Sequence, residues 1–450
     1  MSSRGIRWAQ RLLAASAMLV IAGCGSGPGG ATAHGRRELT VGTLFASTGP
    51  FAAPSQAQLA GLRFWAEQVN ASGGLYVRAM HATMPVRIVA LDDLSSISRA
   101  GQEYLDLVQQ RHVNVLVSDY GSLLTSPAVP IAQQNGVYLF DPTATDPEFF
   151  TTSIFGNGAS DMVMAAAPSD GVLSAELARA IHLLGVRKIV VLYDTSPFAE
   201  SQSNGLQQAL IGYGITPIAM LPVDSSTLSG ATGAAGNSGA VTATDYSKQL
   251  ATLAALHPDA VIEVGYVPDD LAFFQQLAAR HDGFRMVFTV NAGLALAQLE
   301  ASLPRCALAG TYTFLPPPFQ AYPHVSAGLT TAQFQQRFLA RRGTSGPARD
   351  VAGAIPGYTT GLVAQQILAR APGLDPDSMQ RAALALSGSL RTLDGTFRID
   401  KQGVQLGELR PVARLEQTAG GIRPAALGSA ATPGPGRAAG HTAAACGGSR

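Results

Sequence analysis

LTVGTLF at residues 39–45, QAQLAGLRFWAEQVN at 56–70 and VRIVAL at 86–91 decide how this chain folds. The first and third runs are short and rich in Val, Ile and Leu, and turn residues bound them, so they read as buried strands. In the second, Leu59, Leu62, Ala66 and Val69 recur at helical spacing, and Ser72-Gly73-Gly74 supplies the stop. A strand, a crossover helix and a second strand make a βαβ unit, whose strands lie parallel beneath a helix. The rhythm continues. Val113–Val117, Val137–Phe140, Ile189–Tyr193, Ala260–Val264 and Met286–Val290 read as further strands. Helical patterns fall at about 98–111, 123–135, 172–184, 200–211, 246–256, 269–281, 330–341, 357–370 and 377–387. The fold class is α/β, with parallel sheets covered on both faces.

A chain of 450 residues has room for two such domains. Charged residues make up 14%, with Lys+Arg 31 against Asp+Glu 30, so no basic or acidic field argues for nucleic acid or another polyanion as a partner. Cysteines stand at 24, 306 and 446 with no C-x-x-C pair, which offers neither a disulfide framework nor a thiolate metal cluster. Arg4, Arg7 and Arg11 precede an apolar run from Leu12 to Ile21, a secretory signal over residues 1–23 that is too short to span a membrane. Residues 24–37 read as a flexible tether. Residues 225–244, almost wholly Ser, Gly, Ala and Thr, read as a disordered insertion, and the Gly/Ala/Pro-rich 418–450 as a disordered tail.

An enzyme would need a catalytic constellation, and none is legible. The eight histidines never fall at metal-ligand spacing, and there is no G-x-S-x-G, Walker A or H-E-x-x-H sequence. Asp92-Asp93 reads as helix-capping or solvated acid. No catalytic residue, metal or cofactor is therefore expected. What recurs is polar and aromatic sequence directly after strands, where open α/β sheets bind ligands. Such loops are Ser118-Asp119-Tyr120-Gly121-Ser122, Asp141 to Pro147, Asp194-Thr195-Ser196-Pro197-Phe198, Gly265-Tyr266 and Asn291.

Leu39-Thr40-Val41-Gly42 through Thr48-Gly49-Pro50-Phe51, then Ala60-Gly61-Leu62, Glu67 and Val69-Asn70-Ala71-Ser72-Gly73-Gly74, resemble the opening of type I periplasmic solute-binding proteins. The leucine/isoleucine/valine-binding branch is the most similar. The likeness continues through Leu91-Asp92-Asp93, Ser122, Asp141 to Pro147, Gly265-Tyr266 and Gly357-Tyr358 to Asp394-Gly395-Thr396, and covers about residues 38–417. It implies two interleaved, doubly wound lobes joined by a hinge. Lobe 1 would hold 38–157 plus 318–398, and lobe 2 would hold 159–316 plus 399–417.

The resemblance also implies an extracytoplasmic solute-binding component of an ABC importer, not an enzyme. Its partners would be permease subunits, a small-molecule solute and a membrane reached by a lipid on Cys24, since Ile21-Ala22-Gly23-Cys24 resembles a lipoprotein box. Carried over residue by residue, the ligand-binding positions fall on Ser122, Thr143, Ala144, Thr145, Phe198, Tyr266 and Asn291. The acid that pairs with an amino acid's ammonium is replaced by Asn291, and Pro54 stands where relatives often have an aromatic. Amino acids of the branched-chain kind lead as solutes, and aromatic acids or amides lacking an ammonium are the alternative, because a neutral amide holds an ammonium less well than a carboxylate does. Asp119 could replace the missing acid if it turned inward. A ligand sensor of the same fold, signalling through a partner, is the alternative to transport.

Overall fold

Leu39–Phe45 forms the strand expected of it, pairing in parallel with Val86–Asp92 on one side and Val115–Val117 on the other. A computed structural model of the protein describes residues 38–150, 161–232, 243–280, 283–341, 345–427 and the backbone of 441–442. Leu139–Asp141 and Met162–Met164 complete the first sheet, all parallel. The second sheet repeats the pattern with Ile189–Asp194, Ala219–Val223, Ala260–Val264, Met286–Thr289 and Tyr312–Phe314. An antiparallel hairpin, Val412–Thr418 with Gly421–Ala426, extends it beyond Tyr312–Phe314.

In both sheets the first strand of the parallel set lies between the second and the third, so the winding direction reverses beside it. A crevice opens at the carboxyl ends of strands at such a reversal. In the first sheet that end carries Ser118 to Ser122, and in the second it carries Phe198 and Tyr266. The strands are buried on both faces: Val190, Val191, Leu192, Val261 and Ile262 are all fully inaccessible. That is why they read as continuous apolar runs and not as alternating ones.

The helix Ala52–Ala71 covers the first sheet and packs on Val351–Leu368. Their backbones approach so closely that a Cβ on Gly61 would lie 1.8 Å from the Ala354 carbonyl oxygen, and one on Gly357 would lie 2.0 Å from that of Gln58. Trp65 Nε1 donates to Gln365 Oε1 across the same contact at 3.0 Å. Among the described residues, no helix is long and apolar enough to cross a membrane.

Several expectations need correction. The region 123–135 is two helices, Gly121–Thr125 and Ala128–Asn135. Pro127 has no N–H for the Leu123 carbonyl, and Ser126 Oγ donates to that oxygen instead at 2.8 Å. The helix expected from 357 begins at Val351, capped by Asp350, whose side chain accepts from Ala352 N, and it runs through Pro356. Met162–Met164 pairs in the first sheet, so the chain is still in lobe 1 beyond the boundary expected at 159. Within 225–244, Ser226–Thr232 is helical, held by Ser225 Oγ accepting from Leu228 N at 3.1 Å and donating to Asp269 at 2.9 Å. The expected tail from 418 instead enters the hairpin strand Gly421–Ala426. Cys306 is disulfide-bonded, a role that the sequence left open. The signal, the tether and Cys24 lie outside the described residues.

Candidate ligand-binding site

The loop after Val115–Val117 is pinned from below before it reaches any ligand. Ser118 Oγ donates to Asp141 Oδ1 at 2.8 Å, and Asp119 N donates to Tyr104 Oη at 2.8 Å. Asp119 Oδ1 accepts from Ser55 Oγ at 2.6 Å, and the Asp93 carboxyl lies beside it. Burial and then the Asp119 charge push Asp93 up to about 9, so this acid pair retains a proton near neutrality. Above it, Gly121, at φ +75, donates its N–H to Thr143 Oγ1 at 2.9 Å, and Thr143 Oγ1 donates to Gln58 Oε1 at 2.8 Å. Thr145 N donates to Ser122 Oγ at 3.4 Å, which leaves the serine hydrogen as a donor. Thr145 Oγ1 is buried and turned toward the Asp170 carboxyl.

The second lobe supplies the opposite wall. Phe198 lies in the first turn of Pro197–Ile211, whose start is fixed by Ser196 Oγ accepting from Ala199 N at 3.3 Å. Tyr266 is the N-cap residue of Val267–Ala278, and its own N–H is held by Asp269 Oδ2 at 3.2 Å. The Tyr266 hydroxyl accepts from Leu123 N of the first lobe at 3.3 Å. Its ring meets Phe51 edge-on at 4.9 Å between centroids and Phe198 at 5.2 Å. Burial, then the Asp194 charge, raises the Tyr266 pKa, so it remains a neutral phenol. Asn291 Nδ2 donates to Gly265 O at 2.7 Å.

Between these walls lies a cavity of about 820 Å³, its opening to solvent included. Ser122, Thr143, Thr145, Phe198, Tyr266 and Asn291 all line it. Ala144 does not: it is fully buried behind the wall, its N–H on Asp141 Oδ1 at 3.1 Å. Asp119 is fully buried in the pair with Asp93 and is absent from the lining, so it cannot stand in for the missing acid. Pro54 is also absent, and Phe51 supplies an aromatic face behind Tyr266 instead.

Sequence reasoning missed much of the lining: Tyr120, Leu173, Leu294, Phe314, Pro316, Pro317, Ile355 and Pro356, and the charged pair Asp394 and Arg410. Tyr120 stood in a loop already singled out. Leu173, Ile355 and Pro356 lie within helices, Leu294 stands in the loop after Met286–Thr289 beyond Asn291, and Phe314, Pro316 and Pro317 end or follow Tyr312–Phe314, a strand that the sequence pattern did not mark. The lining can donate hydrogen bonds from hydroxyls and enclose an apolar body against aromatic faces. Among the described residues no group of His, Cys, Asp or Glu could hold a metal ion.

This fold and cleft define a two-lobed binding protein of type I periplasmic architecture. Residues 38–417 match the family model for periplasmic binding proteins, and the chain belongs to that family. No curated protein matches. Among solved structures, a leucine-binding protein from Thermotoga maritima superposes with a TM-score of 0.65 at 17% identity, over 86% of this chain and 98% of its own. A solute-binding protein of an ABC transporter from R. palustris, in complex with benzoate, gives 0.64 at 18% identity, over 87% and 96%. A branched-chain amino acid transporter substrate-binding protein from Streptococcus pneumoniae, in complex with isoleucine, gives 0.63 at 16%, over 87% and 100%. At these identities the likeness is one of fold.

Proposed function

We propose that this chain is the extracytoplasmic solute-binding component of an ABC importer, and that its cavity takes a small carboxylate or amide with an apolar or aromatic body. The carrying observation is that hydroxyl and aromatic side chains from both lobes converge on one largely apolar cavity. Ser122 and Thr145 would hold the solute's polar head, with Phe198 and Tyr266 enclosing its body. Closure is then a population shift driven by contacts made when both lobes touch the solute.

The lining supports placing first the solutes that came second in the reading of the sequence. Asn291 is neutral and spends a donor on Gly265 O, while Asp394 is already paired with Arg410. An ammonium in this cavity would meet Asp394 only beside the Arg410 guanidinium, which already balances that carboxylate, and a buried charge without a balancing partner is costly. Acids and amides without an ammonium therefore come first and branched-chain amino acids second. The solved neighbours include one in complex with benzoate and one in complex with isoleucine, so the fold accommodates both classes. Mass spectrometry of solute released on denaturing the purified protein tests the reading, with calorimetric titration by benzoate and leucine beside it. Tight leucine binding without benzoate binding would restore the amino-acid reading.

Delivery outside the cytoplasm rests on the signal and on Cys24 as the lipid-bearing residue. The disulfide at Cys306 suits an oxidising compartment. Cys24→Ala is expected to move the protein from the membrane fraction to the soluble one. Retention in membranes would remove the lipid anchor from this picture.

A further inference from the structure

We propose that Arg410 and Asp394 form a second polar subsite of the cavity, which takes a neutral hydroxyl or carboxamide carried by the solute. The inference rests on the solute-binding reading above. Both residues line the cavity, although they lie on the chain's late crossing between lobes. Asp394 is in the turn between Arg391–Thr392 and Gly395–Thr396, and Arg410 stands two residues before Val412–Thr418.

Arg410 is held firmly. One guanidinium nitrogen donates to the Asp394 carbonyl at 3.2 Å, the other pairs with the Asp394 carboxylate, and the Tyr322 phenol lies against the group. Arg410 is 8% exposed and Asp394 is fully buried, yet Asp394 Oδ2 has no hydrogen-bond partner. Glu408, the other acid of the cluster, is 2% exposed and lacks a partner on either oxygen. Burial and the Asp394 charge raise it well above the ordinary carboxyl range, so it is neutral. Burial raises the Asp394 carboxyl as well, while the Arg410 guanidinium against it pulls the other way.

That balance selects the group it can receive. A second carboxylate would meet the Asp394 oxygen that already lacks a donor, and an ammonium would meet the guanidinium. A hydroxyl or carboxamide satisfies both, giving a hydrogen to Asp394 and accepting one from the remaining Arg410 N–H donors. Phe314, Pro316, Pro317 and Ile355 share this lining, so the polar group must arrive on an apolar body.

Isothermal titration of the whole protein with benzoate, 3- and 4-hydroxybenzoate, isophthalate and terephthalate tests the assignment. At least one hydroxybenzoate is expected to bind tenfold or more tightly than benzoate, and neither dicarboxylate is expected to do so. The double variant Arg410→Met/Asp394→Leu removes the donors and acceptors at both positions. The ratio of hydroxybenzoate to benzoate affinity should then fall from tenfold or more to within about threefold of one, whatever the substitutions do to benzoate itself. Should that variant fail to fold, Asp394→Asn alone and the wild-type series decide the matter. The subsite is overturned if no hydroxybenzoate exceeds benzoate, if a dicarboxylate binds tightest, or if the advantage survives substitution. A wild type that binds none of the five also overturns it. Released solute then separates the two ideas: one without a hydroxyl or carboxamide sinks the subsite alone, and the absence of any solute sinks the solute-binding reading too.

Discussion

Tyr266 is where the lobes meet, and its three contacts have different origins. The hydroxyl takes an amide hydrogen from Leu123, while the ring is packed by Phe51 of the first lobe and Phe198 of the second. Removing only the hydroxyl, in Tyr266→Phe, leaves the buried Leu123 amide without that acceptor. A net hydrogen bond is worth about 1 kcal/mol, or roughly fivefold in affinity if closure depends on it. Tyr266→Ala also removes the ring, and is expected to weaken binding of the released solute tenfold or more by calorimetry. Unchanged affinity in both variants would place the site elsewhere. At this scale the loops were legible where a strand ends in polar or aromatic residues, and the family resemblance picked out Ser122, Thr145, Phe198 and Asn291 within them, all of which line the cavity. Ala144 sits in the same loop, but its amide turns to Asp141, a direction no spacing reveals. Arg410 and Asp394 had no such marker, because only the return crossing of the chain brings them to the cavity that Ser122 lines.

Elements were more legible than their ends. Leu39–Phe45 and Ala260–Val264 match the expected bounds because a buried parallel strand is a closed apolar run between turn residues. Ser226–Thr232 was missed because its composition resembles a linker, and its helix is held by the distant Asp269. The hairpin strand Gly421–Ala426 was hidden likewise, although Gly420-Gly421 marks its turn. The pairing of Ala52–Ala71 with Val351–Leu368 depends on glycines that read only as helix-weakening residues. Gly357→Ala would set a methyl 2.0 Å from the Gln58 carbonyl oxygen, and backbone atoms there cannot yield as a flexible side chain could. The helices must separate, at a cost of about 1–3 kcal/mol by analogy with overpacked cores. Gly171, in the first turn of Asp170–Leu183, has nothing within 4 Å of where a Cβ would stand. Gly171→Ala is expected to be neutral or to add up to about 1 kcal/mol. Urea denaturation of both variants checks the contrast, and equal midpoints would mean the helix contact is not tight.

The whole molecule carries an unusual load of buried acid for a chain with so little charge, and this sets how its stability responds to pH. Asp141, Asp170 and Asp194 are each pushed up to about 7, burial being the largest cause in every case. Hydrogen bonds pull the other way without winning: Ser118 Oγ on Asp141 and Ser196 N on Asp194 are examples. In the unfolded chain an aspartate titrates near 3.9, so between about pH 4 and 7 the folded state binds more protons than the unfolded one. Stability then falls as pH rises through that window, and the full cost of three buried charges is present above it. The melting temperature is expected to be several degrees higher at pH 5 than at pH 8. Asp194 offers the cleanest check, since it lies near Tyr266 and its Oδ1 accepts from Ser196 N at 2.7 Å, a bond an asparagine oxygen can keep. Asp194→Asn should therefore flatten part of the pH dependence without unfastening the loop that carries Phe198. A melting temperature that stays level or rises between pH 5 and 8 would mean these carboxyls ionise freely inside the fold, and burial would not then be their controlling influence.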